Sequence, residues 1–117
     1  MLTSHSVLER HLAAFNRHDT AGLMATLAED VTWRTGRDTI HGRAAVAELF
    51  DDWLWALNPS LTLLGSVAES SMVAAQLVER LTLDGELRQF VIAGFFEVDQ
   101  GVIRVATIFR EGSADLI

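Results

Sequence analysis

Three side chains in this sequence are of types that could do chemistry together. Gln76 and Arg80 share the run MVAAQLVERLTL, and His11 lies on an apolar helical stripe with Leu8, Leu12 and Phe15. An arginine offers fixed N–H donors to a carbonyl or carboxylate oxygen, and a neighbouring amide adds a neutral donor. Histidine is the side chain that exchanges a proton near neutral pH. Together they would hold one oxygen of a small molecule and move a proton. Each also has a plain structural reading, His11 as a hydrogen-bonded core residue and Arg80 as the partner of a carboxylate such as Glu97 across a sheet.

Other chemistries are ruled out by what the chain lacks. It has no Cys, no Lys and no Tyr, so a thiol nucleophile, a Schiff base and a phenolic oxyanion donor are all excluded. His5, His11, His18 and His41 show no metal-ligand spacing with one another. Neither a Gly-rich phosphate loop nor a Gly-x-Ser-x-Gly elbow is present. The residues therefore point to no metal, no nucleotide and no other cofactor.

The elements that must position these groups centre on residues 72–109. MVAAQLVERLTL meets ELRQFVIAGFFEV across Asp84-Gly85, and VIRVATIF follows after Asp99-Gln100-Gly101. An Asp-Gly pair between β-type runs predicts a two-residue hairpin with positive φ at both central residues. That turn sets a register: Leu83 opposite Glu86, Arg80 opposite Gln89, Val78 opposite Val91, Gln76 opposite Ala93. Alternation then gives one face with Ala74, Gln76, Val78, Arg80, Thr82, Gln89, Val91, Ala93 and Phe95. The other face carries Ala75, Leu77, Glu79, Phe90, Ile92, Gly94 and Phe96. The second set is the more apolar, yet both need cover.

Ahead of the hairpin, residues 4–16 read as a helix, with Ser6 and Glu9 at capping-box spacing. Asn16-Arg17-His18-Asp19 breaks it, and Asp19 caps a second helix expected to run through Ala28. Val31–Thr35 is a short strand. Gly42 opens a third helix with the stripe Val46, Leu49, Phe50, Trp53 and Leu57, and Pro59 stops it. Leu61–Ala68 is a further strand. Helices first and antiparallel strands after them mean α+β, with the helices on one face of the sheet.

Composition bounds the rest. At 117 residues, half of them hydrophobic, the chain is read as one domain spanning 1–117. A net charge of −7 argues against nucleic acid and anionic membrane as partners. No N-terminal apolar leader and no apolar run of spanning length are visible, so a cytoplasmic protein is expected. Abundant Ala, Leu, Val and Arg fit a bacterial source.

The stretches LAAFNRHDTAGLMATLAEDVTW, HGRAAVAELF and GFFEVDQGVIRVATIF resemble the nuclear transport factor 2-like superfamily. The likeness is to its SnoaL-like polyketide cyclase, ketosteroid isomerase and limonene-epoxide hydrolase group, and it covers nearly the whole chain. It implies a cystatin-like cone, three N-terminal helices packed in the concavity of a curved, mainly antiparallel sheet, with a pocket between them. The positions matching the isomerases' Tyr, base and acid hold His11, Thr35 and Ala93. Those matching the epoxide hydrolases' Tyr, Asn and Arg hold Trp33, Thr35 and Arg80, with Thr82 and Ile108 at the carboxylates. The usual catalytic carboxylates are thus expected to be missing, because a hydroxyl or a methyl cannot exchange a proton near neutrality.

On that alignment the Arg80 face is expected to line the pocket. The predicted ligand site is Trp33, Thr35, Gln76, Arg80, Thr82, Ala93, Ile108 and Arg110, with His11 as the proton-transfer group. Arg104, Ala106, Ile108 and Arg110 are expected to share the inner side of the last strand. The expected partner is a small apolar molecule with one polar anchor at Arg80 and Gln76. A homodimer is expected through the outer sheet face, formed by Leu77, Phe90, Ile92, Phe96, Val105, Thr107 and Phe109. Two other readings stay open. One is a hydrolase, cyclase or isomerase using His11 or a carboxylate such as Glu97 or Asp38. The other is a structural dimerisation module with a filled core.

Overall fold

A computed structural model describes residues 3–112. The first helix, α1, spans Ser4–Asn16, as the periodicity predicts, although its capping box pairs Thr3 with Ser6 rather than Ser6 with Glu9. The Asn16–Asp19 break then does three jobs. Asn16 clamps the backbone of Leu61, donating to its carbonyl at 2.9 Å and accepting from its N–H at 2.8 Å. His18 turns the chain with a φ of 55° and stacks on Trp55 at 4.7 Å. Asp19 caps α2, Thr20–Met24, by accepting from the N–H of Gly22. That helix is shorter than expected, because the chain from Leu27 joins the sheet instead.

Strand β1 runs Leu27–Thr35 and turns back as the short β2, Asp38–His41, an edge strand that the sequence reading did not foresee. Helix α3, Arg43–Asp52, follows and gives way to a single 3-10 turn, Leu54–Leu57. Four strands follow: β3 Ser60–Glu69, β4 Met72–Leu83, β5 Glu86–Asp99 and β6 Val102–Arg110. The six strands form one sheet in the order β2-β1-β6-β5-β4-β3. Among the described residues only the β1–β6 pair is parallel. Among the described residues, no helix is long and apolar enough to cross a membrane.

The hairpin register is the one expected, from Leu83 opposite Glu86 to Gln76 opposite Ala93. Asp84 and Gly85 have φ values of 52° and 79°, the mirror-image turn whose twist suits flanking strands. Gln100 and Gly101 repeat it at 53° and 80°. The inward side, however, is the opposite of the one expected. Leu77, Phe90, Ile92 and Phe96 pack toward the helices, while Gln76, Arg80, Thr82, Gln89 and Ala93 lie on the far side. Area decides this: burying large apolar side chains gains roughly 25 cal/mol per Å², whereas burying Arg80 with no ionic partner costs several kcal/mol.

Helices α1 and α3 fill the concavity, with Val7, Leu8, Leu12, Phe15, Val46 and Phe50 buried against Trp33, Leu77, Ile92, Phe96 and Ala106. Trp53, expected in this core, is 56% exposed, because α3 ends at Asp52 before the stripe completes another turn. Gly94 marks a close approach within the sheet: a Cβ there would sit 2.7 Å from the Phe96 ring, which folds across it.

Candidate functional site

Cross-strand rows build the inner wall of a cavity. The innermost row runs Ile40, Trp33, Ala106, Phe96, Val73. The next holds Asp38, Thr35, Ile108, Gly94 and Ala75. Beyond it come Arg110, Ile92, Leu77 and Leu63, and then Phe90, Glu79 and Leu61. Against these rows α1 contributes His11, Leu12 and Phe15, and α3 with the 3-10 turn contributes Phe50, Leu54 and Leu57. The space enclosed is about 470 Å³ and mostly apolar. That is within the ordinary range for a small-molecule site.

At the closed end stands His11, 2% exposed, its ring 5.8 Å from Trp33 and 6.0 Å from Phe96. Its Nδ1 lies 2.8 Å from Oγ1 of Thr26, and that hydroxyl lies 2.6 Å from the carbonyl of Leu23. Two oxygens so close require a proton between them, so the Thr26 hydroxyl donates to Leu23 and accepts from Nδ1–H. The hydrogen-bond network thereby assigns the tautomer and leaves Nε2 unprotonated. Nε2 has no protein partner, and no buried polar side-chain atom among the described residues is orphaned, so Nε2 opens onto the cavity. Burial in this apolar end pulls the imidazole pKa down to about 4, and His11 is neutral at physiological pH.

At the open end, Arg110 donates to Glu79 through Nε at 3.0 Å and through Nη2 to the same oxygen, Oε1. The guanidinium also lies over the Phe90 ring, 5.0 Å from its centroid. Glu79 is buried, while the Arg110 side chain is 47% exposed, and the cavity lining also includes Arg37, Asp38 and Trp53. The second carboxylate oxygen of Glu79 has no partner among the described residues and is not orphaned in the core, so it too meets the cavity.

Of the predicted site residues, His11, Trp33, Thr35, Ile108 and Arg110 line this cavity. Gln76, Arg80, Thr82 and Ala93 do not. Arg80 instead donates to Gln89 and Thr62, both at 3.1 Å, on the far face of the sheet, and makes no pair with Glu97. Arg104, expected inward, is the extra residue of a bulge: Val98 faces Ile103 and Glu97 faces Val105. It points out to Asp99 and Asp30 instead. Of the carboxylates held as alternatives, Glu97 is exposed on β5 and Asp38 lines the cavity. Glu79 was missed. Its signal was available, as the one charged residue in the apolar set of Leu77, Phe90, Ile92 and Phe96.

Residues 8–106 match the SnoaL-like domain profile. The chain belongs to the SnoaL-like family. Solved structures that are similar to this family member share its fold. An epoxide hydrolase of limonene-epoxide-hydrolase type from Mycobacterium tuberculosis is 22% identical with a TM-score of 0.84, over 92% of this chain and 82% of that one. A candidate ketosteroid isomerase from Kribbella flavida is 23% identical with a TM-score of 0.80, over 96% and 80%. A candidate polyketide cyclase from Xanthomonas campestris is 24% identical with a TM-score of 0.77, over 90% and 87%. Another Xanthomonas campestris protein, 17% identical with a TM-score of 0.85 over 95% and 92%, carries the description cystatin-like, which agrees with the architecture seen here. Among curated proteins none matches the sequence. At these identities the likeness is one of fold.

Proposed function

We propose that this SnoaL-like domain binds a small, largely apolar molecule in the cavity, with one polar group of that molecule held at the Glu79–Arg110 pair. The observation that carries the reading is the combination of an apolar space of about 470 Å³ with one buried ion pair on its wall. That pair retains an unused carboxylate oxygen and unused guanidinium protons. Apolar walls supply affinity through desolvation, and the few polar groups supply orientation. The anchor is therefore Arg110, not Arg80. A thermal-shift screen of apolar ketones, epoxides and carboxylic acids tests it. Compounds that raise the melting temperature of the natural chain should lose that effect in an Arg110→Met/Glu79→Leu double variant. A screen with no stabilising compound, or hits indifferent to the double variant, would count against the reading.

A second reading, catalysis by acid–base chemistry, is favoured by one further observation. Two groups able to exchange a proton, neutral His11 and Glu79, face the same apolar space. The relatives named for epoxide hydrolysis, cyclisation and isomerisation fit this. In it, Glu79 takes or delivers a proton while Arg110 steadies the charge that develops on a substrate oxygen. Glu79→Gln keeps the arginine contact and removes the base. It should lower turnover by roughly 10²–10⁴-fold with little change in substrate binding.

The far face of the sheet supports association of two copies. Val67, Ala74, Phe95 and Thr107 form one row across it, and Phe109 meets Phe95 edge to face at 6.0 Å. Phe95 is 42% exposed and Phe109 57%. A homodimer through this face would use Phe95, Phe109, Val105 and Thr107. Leu77, Phe90, Ile92 and Phe96, expected there from the sequence, are inside the cone.

A further inference from the structure

The two polar ends of the cavity are not equivalent, and their difference restricts what can fill it. Thr26 fixes His11 as an acceptor toward the cavity, through the hydrogen bonds of 2.8 Å and 2.6 Å that run from Nδ1 to the hydroxyl and on to Leu23. At the other end the unpaired oxygen of Glu79 can accept a proton, whereas Arg110 can only give one. Its charge is balanced by Glu79, so that end has no net attraction for an anion. His11 sits over the row of Ala106, and Arg110 lies four residues further along β6, which is roughly 13 Å at the rise of a strand.

We infer that the cavity takes a neutral molecule with a hydroxyl or N–H donor at its inner end, joined by an apolar body to a carbonyl or hydroxyl group at its outer end. This rests on the binding reading above and adds the direction and polarity of the ligand. A ligand with an ether or carbonyl at the inner end would set a lone pair against the lone pair of Nε2. A carboxylate at the outer end would lie against Glu79. The selection follows from Thr26, which contacts the ring on the side away from the ligand, so Thr26 is a positioning residue.

The test uses three ketones of one shape: benzylacetone, its para-hydroxy analogue and its para-methoxy analogue. Calorimetric titration of the natural chain should show the para-hydroxy ketone binding about tenfold tighter than the other two, the gain from one well-placed hydrogen bond. Thr26→Val should lose most of that gain while still binding benzylacetone, and Thr26→Ser should restore it. Independently of any ligand, the nitrogen spectrum of the His11 ring should show a protonated Nδ1 and an unprotonated Nε2. The inference is overturned if the para-hydroxy ketone has no advantage over the para-methoxy one, or if Nε2 carries the proton. Should none of the three ketones bind at all, the binding reading falls too. If benzylacetone binds without any hydroxyl advantage, only this inference falls.

Discussion

Arg110 on β6 reaches past the intervening strand β5 to the carboxylate of Glu79 on β4, closing an ion pair over the ring of Phe90. Glu79 is buried and Arg110 is half exposed, so the two partners are not symmetric. Removing the arginine strands a buried carboxylate. Arg110→Met alone should therefore destabilise the chain by about 2 kcal/mol, less than a fully buried pair would lose, because water reaches one partner. The Arg110→Met/Glu79→Leu double variant should recover most of that loss, and a urea-unfolding cycle over the four chains measures the coupling. Additive single effects would show that the pair is not a unit.

His11 gives the chain a pH dependence of known sign. Its folded pKa is about 4 against 6.5 for a free imidazole, owing to burial. Between those values the unfolded chain holds a proton that the folded chain refuses. Stability from this group is therefore full above pH 6.5 and declines as pH falls toward 4, by about 3 kcal/mol in all. Unfolding measured across that range should show the decline in the natural chain and a shallower slope in His11→Phe. Parallel slopes would mean that the folded state accommodates the imidazolium.

Phe50 joins Phe15, Trp33 and Trp55 in edge or tilted contacts with ring separations of 4.8–6.2 Å, and is buried. Phe50→Ala should cost about 3–5 kcal/mol, the usual range for deleting a core aromatic. A fully stable variant would contradict the packing of α3 into the cone.

Arg80 tests which face of the sheet is inside. Lying on the far face with Gln89 and Thr62 as partners, it should tolerate replacement. Arg80→Ala should change stability by no more than about 0.5 kcal/mol and leave the ligand response in thermal shift unaltered. Loss of that response would restore Arg80 to the site.

The same face carries the proposed dimer contact. Phe95→Arg places a charge at the centre of the exposed row that Phe95 shares with Val67, Ala74 and Thr107. Sedimentation should show the natural chain as a dimer at micromolar concentration and Phe95→Arg as a monomer of unchanged melting behaviour. A monomeric natural chain would remove the proposal.

Much of this molecule is legible in local sequence, because local physics governs it. The first helix follows from 3.6-residue periodicity, the cap at Asp19 from a side chain that satisfies an orphan N–H, and the strand register from the Asp84-Gly85 turn. The set of residues sharing each face is equally local wherever the strand is regular, and the bulge at Arg104 is where that rule fails. What the strand cannot say is which of its two faces meets the helices. Apolar area settled that in favour of Leu77, Phe90, Ile92 and Phe96, against a family correspondence at Arg80 that pointed the other way. Glu79 then became a cavity residue, because its neighbours on the same face took it inward and Arg110 was there to neutralise it. That encounter joins positions 31 residues apart across two strand registers. The tautomer of His11 likewise depended on α2 ending where Thr26 could meet both the ring and Leu23. Such relationships arise only when separate elements share one space, so tertiary structure alone decided them.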